Sequence, residues 1–118
     1  MLKQGTETDG APDIRIAGSD DDALFCADCG ASVTRAHFAI RREGEHEHLC
    51  ANPAGVVFHV RLFSDAPGAE PLGPATDQAT WFPGTTWRMV LCRACEAHLG
   101  WVYDGDGVFF GLVKERIV

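Results

Sequence analysis

The sequence predicts a mainly β fold, and three observations support this prediction. Residues 56–63 are rich in β-branched and aromatic side chains that alternate with His59 and Arg61, which is the pattern of a half-buried strand. Residues 104–107, Asp-Gly-Asp-Gly, separate two apolar runs and are a strong signal for a β-hairpin turn. No segment has the apolar spacing of a helix of normal length.

The remaining elements follow in chain order. Residues 1–23 are polar and acidic, so we expect a largely disordered tail, followed by a single domain over residues 24–118. Within that domain we expect a helical turn or a strand at 32–41, a polar loop or hairpin at 44–48, a long loop rich in Pro, Gly and Ala at 64–80, and strands at 87–91, 101–103 and 108–117.

Charge and composition exclude several classes of partner. The chain has 118 residues and a net charge of −7, whereas binding to nucleic-acid phosphates needs clustered Lys and Arg. The same charge argues against anionic membrane surfaces, and no apolar run is long enough to span a bilayer. Residues 1–22 contain no apolar segment of the signal-peptide type, so we expect a reducing, cytoplasmic location without nucleic-acid or membrane partners.

Two Cys-x-x-Cys pairs carry the clearest chemistry in the sequence. Cys26 and Cys29 form one pair, and Cys92 and Cys95 form the other. A two-residue spacer lets both thiolates of a turn reach one tetrahedral ion, and four thiolates leave no open coordination position. The pairs therefore predict one structural Zn²⁺; the alternative, a redox dithiol, uses one pair and leaves the second unexplained. Cys50 lies between apolar neighbours and is interpreted as a small buried residue.

Three histidines each have two interpretations. His46 and His48 alternate with Glu45 and Glu47, which fits a solvated strand or loop face, and the alternative is a second metal site. His98 follows the second cysteine pair, where it either supports a ligand sulfur or packs locally.

All three tryptophans of the chain lie close to the second cysteine pair. Trp81 and Trp87 flank a turn-rich segment, and Trp101 begins a strand after the pair. Because loops run on surfaces and a metal site would hold the strand rigidly, the three indoles can form the walls of a pocket. The alternative is that they are core residues, and the spacing alone leaves both interpretations open.

These motifs together resemble a known family. In order, the chain contains Asn52-Pro53-x-Gly55, Trp81-Phe82-x-Gly84-x-x-Trp87, Cys92-x-x-Cys95-x-x-His98-Leu99-Gly100-Trp101 and Phe110-Gly111-Leu112. Their order and spacing closely resemble the thalidomide-binding domain of cereblon, the CULT domain, over about residues 24–117, and the small size resembles the single-domain bacterial members. The family's Lon-like domain and ubiquitin-ligase adaptor-binding region have no counterpart, so we expect no role as a ligase substrate receptor.

The resemblance implies a β-tent, in which two antiparallel sheets pack at a steep angle and are pinned by Zn²⁺. The three tryptophans would enclose glutarimide or a related cyclic imide, with Tyr103 at the base. The imide N–H would donate to the Ala79 carbonyl, and the Trp81 N–H would donate to an imide oxygen. The ligand-binding residues that the resemblance implies are Asn52, Pro53, Phe58, Gln78, Ala79, Thr80, Trp81, Trp87, Trp101 and Tyr103.

Two positions depart from the family pattern. Ala79 stands where similar sequences often carry His or an aromatic residue, and Thr85 stands where Tyr is common. We expect both changes at the rim of the pocket, where they bear on ligand preference more than on binding itself.

We therefore expect a small-molecule binding module for cyclic imides, including thalidomide-type ligands and cyclised imide ends of damaged proteins, and no enzyme activity. One alternative is a reductase similar to methionine sulfoxide reductase B, in which Cys50 would have to act because no cysteine follows Cys95. Another is a reader of methylammonium groups, since three aromatic rings also bind quaternary cations. Protein partners are not predicted.

Overall fold

The structure, a computed structural model, describes residues 22–118. In chain order its elements are β1 (Ala23–Phe25), β2 (Ser32–Arg35), a 3-10 helix (Ala36–Phe38), β3 (Glu47–Ala51), β4 (Val57–Phe63), β5 (Ala69–Thr76), β6 (Thr86–Cys92), β7 (His98–Asp104), β8 (Val108–Val113) and a second 3-10 helix (Lys114–Arg116). Residues 1–21 of the predicted disordered tail lie outside the described residues. No helix in the described part is long and apolar enough to cross a membrane.

The strands form two antiparallel sheets. β1 pairs with β2 in the small sheet, and the large sheet has six strands in the order β3-β4-β8-β7-β6-β5. The predicted hairpin turn joins β7 to β8, where Asp104 pairs with Val108 and the Gly105 N–H donates to the Gly107 carbonyl at 3.0 Å. The predictions of a mainly β fold with two antiparallel sheets and of this hairpin are confirmed.

Three segments differ from the predicted elements. The strand expected at 108–117 ends at Val113 and is followed by the second 3-10 helix. Residues 64–80, expected as a long loop, contain the strand β5, and the expected loop at 44–48 ends where β3 begins at Glu47. Both strands lie at edges of the large sheet. An edge strand tolerates prolines such as Pro71 and Pro74 because the outer main-chain groups have no ladder partner to lose. The ambiguous segment 32–41 contains β2 and the first 3-10 helix.

The buried side chains form two clusters on the two faces of the large sheet. The metal-side cluster includes Phe63, Leu112 and Ile117, together with Cys26 and Cys92. The pocket-side cluster includes Leu62 and Tyr103, together with the tryptophans. Because side chains alternate along a strand, the neighbours Leu62 and Phe63 of β4 enter different clusters. One sheet therefore carries both candidate sites.

Candidate metal centre and binding pocket

The four cysteines of the two Cys-x-x-Cys pairs converge at one point. Their Sγ atoms all lie within 4.8 Å of one another. The separation is 3.7 Å between Cys26 and Cys95 and 3.7 Å between Cys29 and Cys92. Four sulfurs placed about 2.3 Å from a tetrahedral ion would lie about 3.8 Å apart, so the observed spacing fits a metal ion. The cluster can therefore hold a metal with sulfur ligands alone.

The two cysteine turns share one main-chain conformation. In each turn the carbonyl of the first cysteine accepts a hydrogen bond of 2.8 Å from the N–H four residues later, at Gly30 for Cys26 and at Glu96 for Cys92. That later residue has a positive φ in both turns, 78° at Gly30 and 67° at Glu96. Glycine adopts this conformation without strain in the first turn, whereas the second turn places a side chain in a conformation that favours glycine.

We expect the Glu96→Gly variant to be more stable than the wild type by about 0.5–1 kcal/mol. The left-handed conformation costs an L residue roughly 1–2 kcal/mol, and glycine removes that strain but loses more chain entropy on folding. Chemical denaturation of the metal-loaded protein measures the difference. The matched control is Glu96→Ala, which keeps the Cβ atom and should stay close to the wild type. Equal stabilisation by alanine would show that the carboxylate, and not the backbone, is responsible.

The surroundings of the sulfurs favour a bound cation. Burial raises the pKa of Cys92, but hydrogen bonds from the N–H groups of Cys95 and Ala94 outweigh it and lower the pKa to about 7. At Cys95 a main-chain bond from Ala97 lowers the pKa, but desolvation and the neighbouring sulfurs outweigh it and raise the pKa to about 12. The first thiolate to form repels the next, and a divalent cation removes that repulsion.

The cysteine cluster joins the two sheets. The first cysteine pair follows β1 of the small sheet, and the second pair lies between the end of β6 and the start of β7 in the large sheet. Beside the cluster, the Ala27 N–H donates to the Arg116 carbonyl at 2.9 Å, and Phe25 and Val118 exchange main-chain bonds of 2.7 and 2.8 Å. A bound metal would hold the small sheet against the large one.

A cavity of about 300 Å³ lies on the tryptophan side of the large sheet. Its floor is formed by β6 and β7, where Trp87 pairs with Tyr103 and Met89 pairs with Trp101. β4, the loop after β3 and the loop between β5 and β6 supply the remaining walls. The lining residues are Asn52, Pro53, Phe58, Ala79, Trp81, Trp87, Met89, His98, Trp101 and Tyr103.

Most of the residues expected to bind ligand line this cavity, and two do not. Gln78 is absent from the lining, but its carbonyl accepts a bond of 2.9 Å from the Trp87 indole. Thr80 is also absent, because its hydroxyl lies 2.8 Å from the Thr85 hydroxyl and belongs to the loop interior. Met89 lines the cavity without having been predicted, although its position two residues after Trp87 in one strand places it on the same face.

Main-chain carbonyls orient two of the indoles. The Trp81 Nε1–H donates to the Ala51 carbonyl at the end of β3 at 2.8 Å, and the Trp87 Nε1–H donates to Gln78 within the loop. Trp81 meets Trp101 edge to face, with ring centroids 4.8 Å apart and an angle of 80°. Phe58 meets Trp101 in a similar way at 5.2 Å and 76°. The aromatic walls are therefore held in a defined arrangement before any ligand binds.

Ala79 and Trp81 line this cavity, and each has a main-chain group without a hydrogen-bond partner among the described residues. Ala79 has a φ of 54°, a conformation that a non-glycine residue rarely adopts and that turns the direction of the chain. The Thr80 N–H donates back to the Asp77 carbonyl at 3.3 Å. Within the described residues, the Ala79 carbonyl accepts no hydrogen bond and the Trp81 N–H donates none. An acceptor and a donor two residues apart are therefore free.

Thr85 does not lie at the rim of the cavity, where the family comparison placed it. Its side chain is buried, with 4% exposed, and its hydroxyl donates to the Phe82 carbonyl at 2.6 Å. Thr85 therefore stabilises the loop that carries Trp81 from within. Ala79 does line the cavity, and its methyl group leaves that part of the rim open.

His98 packs locally beside the pocket. Its Nε2–H donates to the Gly100 carbonyl at 3.0 Å, and its ring meets Trp101 edge to face at 5.1 Å. Burial lowers the pKa of His98, so the ring is neutral near neutral pH. No hydrogen bond joins it to a cysteine sulfur among the described residues, so the interpretation as local packing holds.

His46 and His48 belong to no group of three or more potential metal ligands among residues 22–118. The His46 Nδ1–H donates to the Ile40 carbonyl at 2.9 Å, and the His48 Nε2–H donates to the Glu45 carbonyl at 3.1 Å. Among residues 22–118 the cysteine cluster is the one group of His, Cys, Asp and Glu side chains close enough to hold an ion. Cys50 is buried as expected, with 8% exposed, and burial raises its pKa.

Comparison with known proteins gives one consistent result. No family model matches the chain. The cereblon proteins of Drosophila erecta, Drosophila yakuba and Drosophila melanogaster are each 31% identical to it over 116 residues, which cover 88% of this chain and 19% of theirs. The chain thus spans about a fifth of the length of the curated relatives it matches. Together with the two-sheet fold and the four-cysteine cluster, this similarity shows that the chain is a cereblon-like domain of the CULT type.

Proposed function

We propose that this domain binds cyclic imides, such as glutarimide and thalidomide-type ligands, in the tryptophan-lined cavity. The observation that carries the proposal is the free pair of main-chain groups at Ala79 and Trp81. A cyclic imide presents a C=O, an N–H and a second C=O along one flat edge. The Ala79 carbonyl can accept from the imide N–H while the Trp81 N–H donates to an imide oxygen, so each polar group would gain a partner.

The rest of the cavity suits the apolar part of such a ring. Trp81, Trp87 and Trp101 offer large flat apolar surfaces that can desolvate ring methylenes. A volume of about 300 Å³ lies at the lower end of the range for small-molecule sites. A compact ligand with one polar edge is therefore the class that this cavity fits best.

The same lining argues against the two alternatives. Among residues 22–118 no Asp or Glu lines the cavity, whereas a site for a methylammonium cation gains from a nearby carboxylate. Cys50, the thiol that a reductase would need, does not line the cavity and has a raised pKa, so its reactive thiolate is disfavoured. We therefore propose a binding module and no catalysed reaction.

We further propose that the four-cysteine cluster holds one structural Zn²⁺. Four thiolates in a tetrahedron are typical of structural zinc, and they leave no position for a substrate or water. A cytoplasmic, reducing location fits free thiols of this kind. The ion would hold the sheets together and would not contact a ligand in the cavity.

Cyclised imide ends of damaged proteins remain within the proposed ligand class.

Titration with three small molecules tests the proposed ligand class. We expect glutarimide to quench tryptophan fluorescence at micromolar to millimolar concentrations in the metal-loaded protein. N-methylglutarimide, which keeps the ring but loses the N–H donor, should bind at least about tenfold more weakly, because the Ala79 carbonyl would remain unpaired. A trimethylammonium compound should not bind. Equal binding of the N-methyl analogue, or preference for the cation, would refute the proposed recognition.

A further inference from the structure

The outer edge of β3 carries main-chain groups that no described residue binds. β3 is the first strand of the large sheet, and within the described residues only β4 pairs with it. The bond of 2.9 Å from the Asn52 N–H to the Val56 carbonyl continues this ladder. Because bonded pairs recur at every second residue, the even-numbered residues of β3 are the ones bonded to β4. The N–H and C=O groups of Glu47 and Leu49 therefore point outward, and nothing in residues 22–118 pairs with them.

The two edges of the large sheet differ in a way that favours pairing at β3. β5, at the opposite edge, contains Pro71 and Pro74, and its register with β6 shifts between Leu72 and Thr76. Prolines and irregular pairing protect a sheet edge from the addition of another strand. β3 contains no proline, and its register with β4 is unbroken. Its central residue, Leu49, is 74% exposed and is the most exposed large apolar side chain among the described residues.

An apolar strip lies beside this open edge. Leu49 and Ala51 point to the same face of the sheet, because side chains alternate along a strand. Ala51 pairs with Val57 of β4, which is 60% exposed. The charged residue on this face, Glu47, is already paired with Lys114. A strand added at β3 would place every second side chain beside Leu49, where an apolar side chain would cover it.

The open edge ends at the tryptophan-lined cavity. Asn52, the residue after β3, lines the cavity, and Trp81, another lining residue, donates its indole N–H to the Ala51 carbonyl at 2.8 Å. At about 3.3 Å per residue, Leu49 lies about 7 Å from Ala51 along the strand and Glu47 about 13 Å. A chain that leaves the cavity along this edge therefore meets Leu49 first and Glu47 next.

We propose that the open edge of β3 binds the polypeptide whose C-terminal cyclic imide occupies the cavity, by adding that polypeptide to the large sheet as a further strand. The inference rests on the proposed function and extends the ligand from an imide ring to an extended peptide. The peptide would run parallel to β3, because its C-terminal end lies at the cavity and β3 also ends there. The Leu49 N–H would donate to one peptide carbonyl, and the Leu49 carbonyl would accept from a peptide N–H two residues farther on.

Two ligands that share the imide separate the strand contact from imide binding. One is N-acetyl-aminoglutarimide, and the other is an acetylated peptide of five alternating Val and Thr residues that ends in the same aminoglutarimide. Both are titrated by calorimetry into the metal-loaded protein. We expect the peptide to bind about tenfold more tightly, since a few main-chain hydrogen bonds are partly offset by the cost of ordering the peptide.

Hydrogen exchange followed by NMR locates the contact. The amide protons of Glu47 and Leu49 should exchange rapidly in the free protein and with the short compound, and slowly with the peptide. The amide proton of Cys50, which is bonded to β4 in every case, is the internal control.

Peptides with N-methyl groups at alternate residues are the matched ligands. In an extended chain, alternate N–H groups point to opposite edges, so two such peptides with opposite placement each block one edge. The peptide blocked on the edge that faces β3 should bind no more tightly than N-acetyl-aminoglutarimide. The peptide blocked on the other edge should keep the tenfold gain.

The outcomes separate this inference from the proposed function. If the full peptide and the short compound bind equally, strand addition is refuted while imide binding stands. Strand addition is also refuted if both N-methylated peptides lose the gain, or if neither does. If no ligand binds the wild type, the proposed function itself fails. Slow exchange at Leu49 in the free protein would show that another part of the chain already covers this edge, and would overturn the inference.

Discussion

Replacing Cys92 with serine should abolish metal binding and unfold the domain at room temperature. Cys92 is buried, with 1% exposed, and its sulfur lies within 4.8 Å of the other three. Serine cannot supply a thiolate, so the proposed ion would lose a ligand, and the three remaining thiolates would repel one another without a bound cation. Structural zinc contributes roughly 10–16 kcal/mol in zinc-finger peptides, which is comparable to the whole stability of a small domain, about 5–15 kcal/mol.

Cys50→Ala is the matched control, because it also removes a buried thiol but lies outside the cluster. Elemental analysis should find one metal ion per chain in the wild type and in Cys50→Ala, and none in Cys92→Ser. Circular dichroism should show a cooperative melting transition in the wild type and in Cys50→Ala, but not in Cys92→Ser. A strong chelator should reproduce the effect of Cys92→Ser in the wild type. A Cys92→Ser protein that melts like the wild type would show that the cluster does not stabilise the fold.

The metal cluster was predictable from the sequence because its determinants are local. A Cys-x-x-Cys turn brings two sulfurs together by its own geometry. Because a tetrahedral ion needs four ligands, two such turns in one chain predict a single shared site. The Asp-Gly-Asp-Gly hairpin is local for the same reason, since its residues permit the turn whatever surrounds them. The positive φ at Glu96 was not predictable, because glutamate gives no sign of a conformation that the cluster imposes.

The edge strands and part of the pocket depend on contacts between distant residues. β5 carries Pro71 and Pro74, and only its place at the edge of the large sheet makes these residues acceptable in a strand. The bond from the Trp81 indole to the Ala51 carbonyl joins residues 30 positions apart, so no local pattern shows it. Thr85 was expected at the rim because the resemblance to the CULT family implied it, whereas its hydroxyl turns inward to bond the Phe82 carbonyl.

The role of Trp101 shows why the choice between core and pocket wall could not be made from spacing. Only 9% of Trp101 is exposed, yet it lines the cavity and contacts both Trp81 and Phe58. It is a core residue and a wall at once. Trp101→Ala would therefore weaken the fold, by roughly 3–5 kcal/mol for a buried tryptophan, as well as the pocket. To test ligand binding without weakening the fold, the substitution should be made at a cavity-lining residue that contributes less to the core.

Trp87→Ala is expected to weaken glutarimide binding by about 100-fold or more while the protein stays folded and keeps its metal. Trp87 lines the cavity from β6 and is partly exposed, so its removal opens one wall to water without emptying the core. Truncating a central aromatic contact typically costs more than about 2 kcal/mol of binding free energy, and tryptophan is among the largest contributors. Calorimetric titration measures the affinity without relying on the fluorescence of the residue that is removed.

Trp87→Phe is the matched control, since it keeps an aromatic wall but loses the indole bond to the Gln78 carbonyl. We expect this variant to bind about tenfold more weakly than the wild type, because a smaller ring remains and the loop that carries Ala79 and Trp81 loses one restraint. Wild-type affinity in Trp87→Ala would place the imide elsewhere. Loss of metal or of cooperative melting in Trp87→Ala would make this side chain a structural one. If Trp87→Ala stays folded and keeps its metal but no longer binds glutarimide, ligand binding and metal binding are independent. The cysteine cluster would then stabilise the fold, and the tryptophans would bind the ligand.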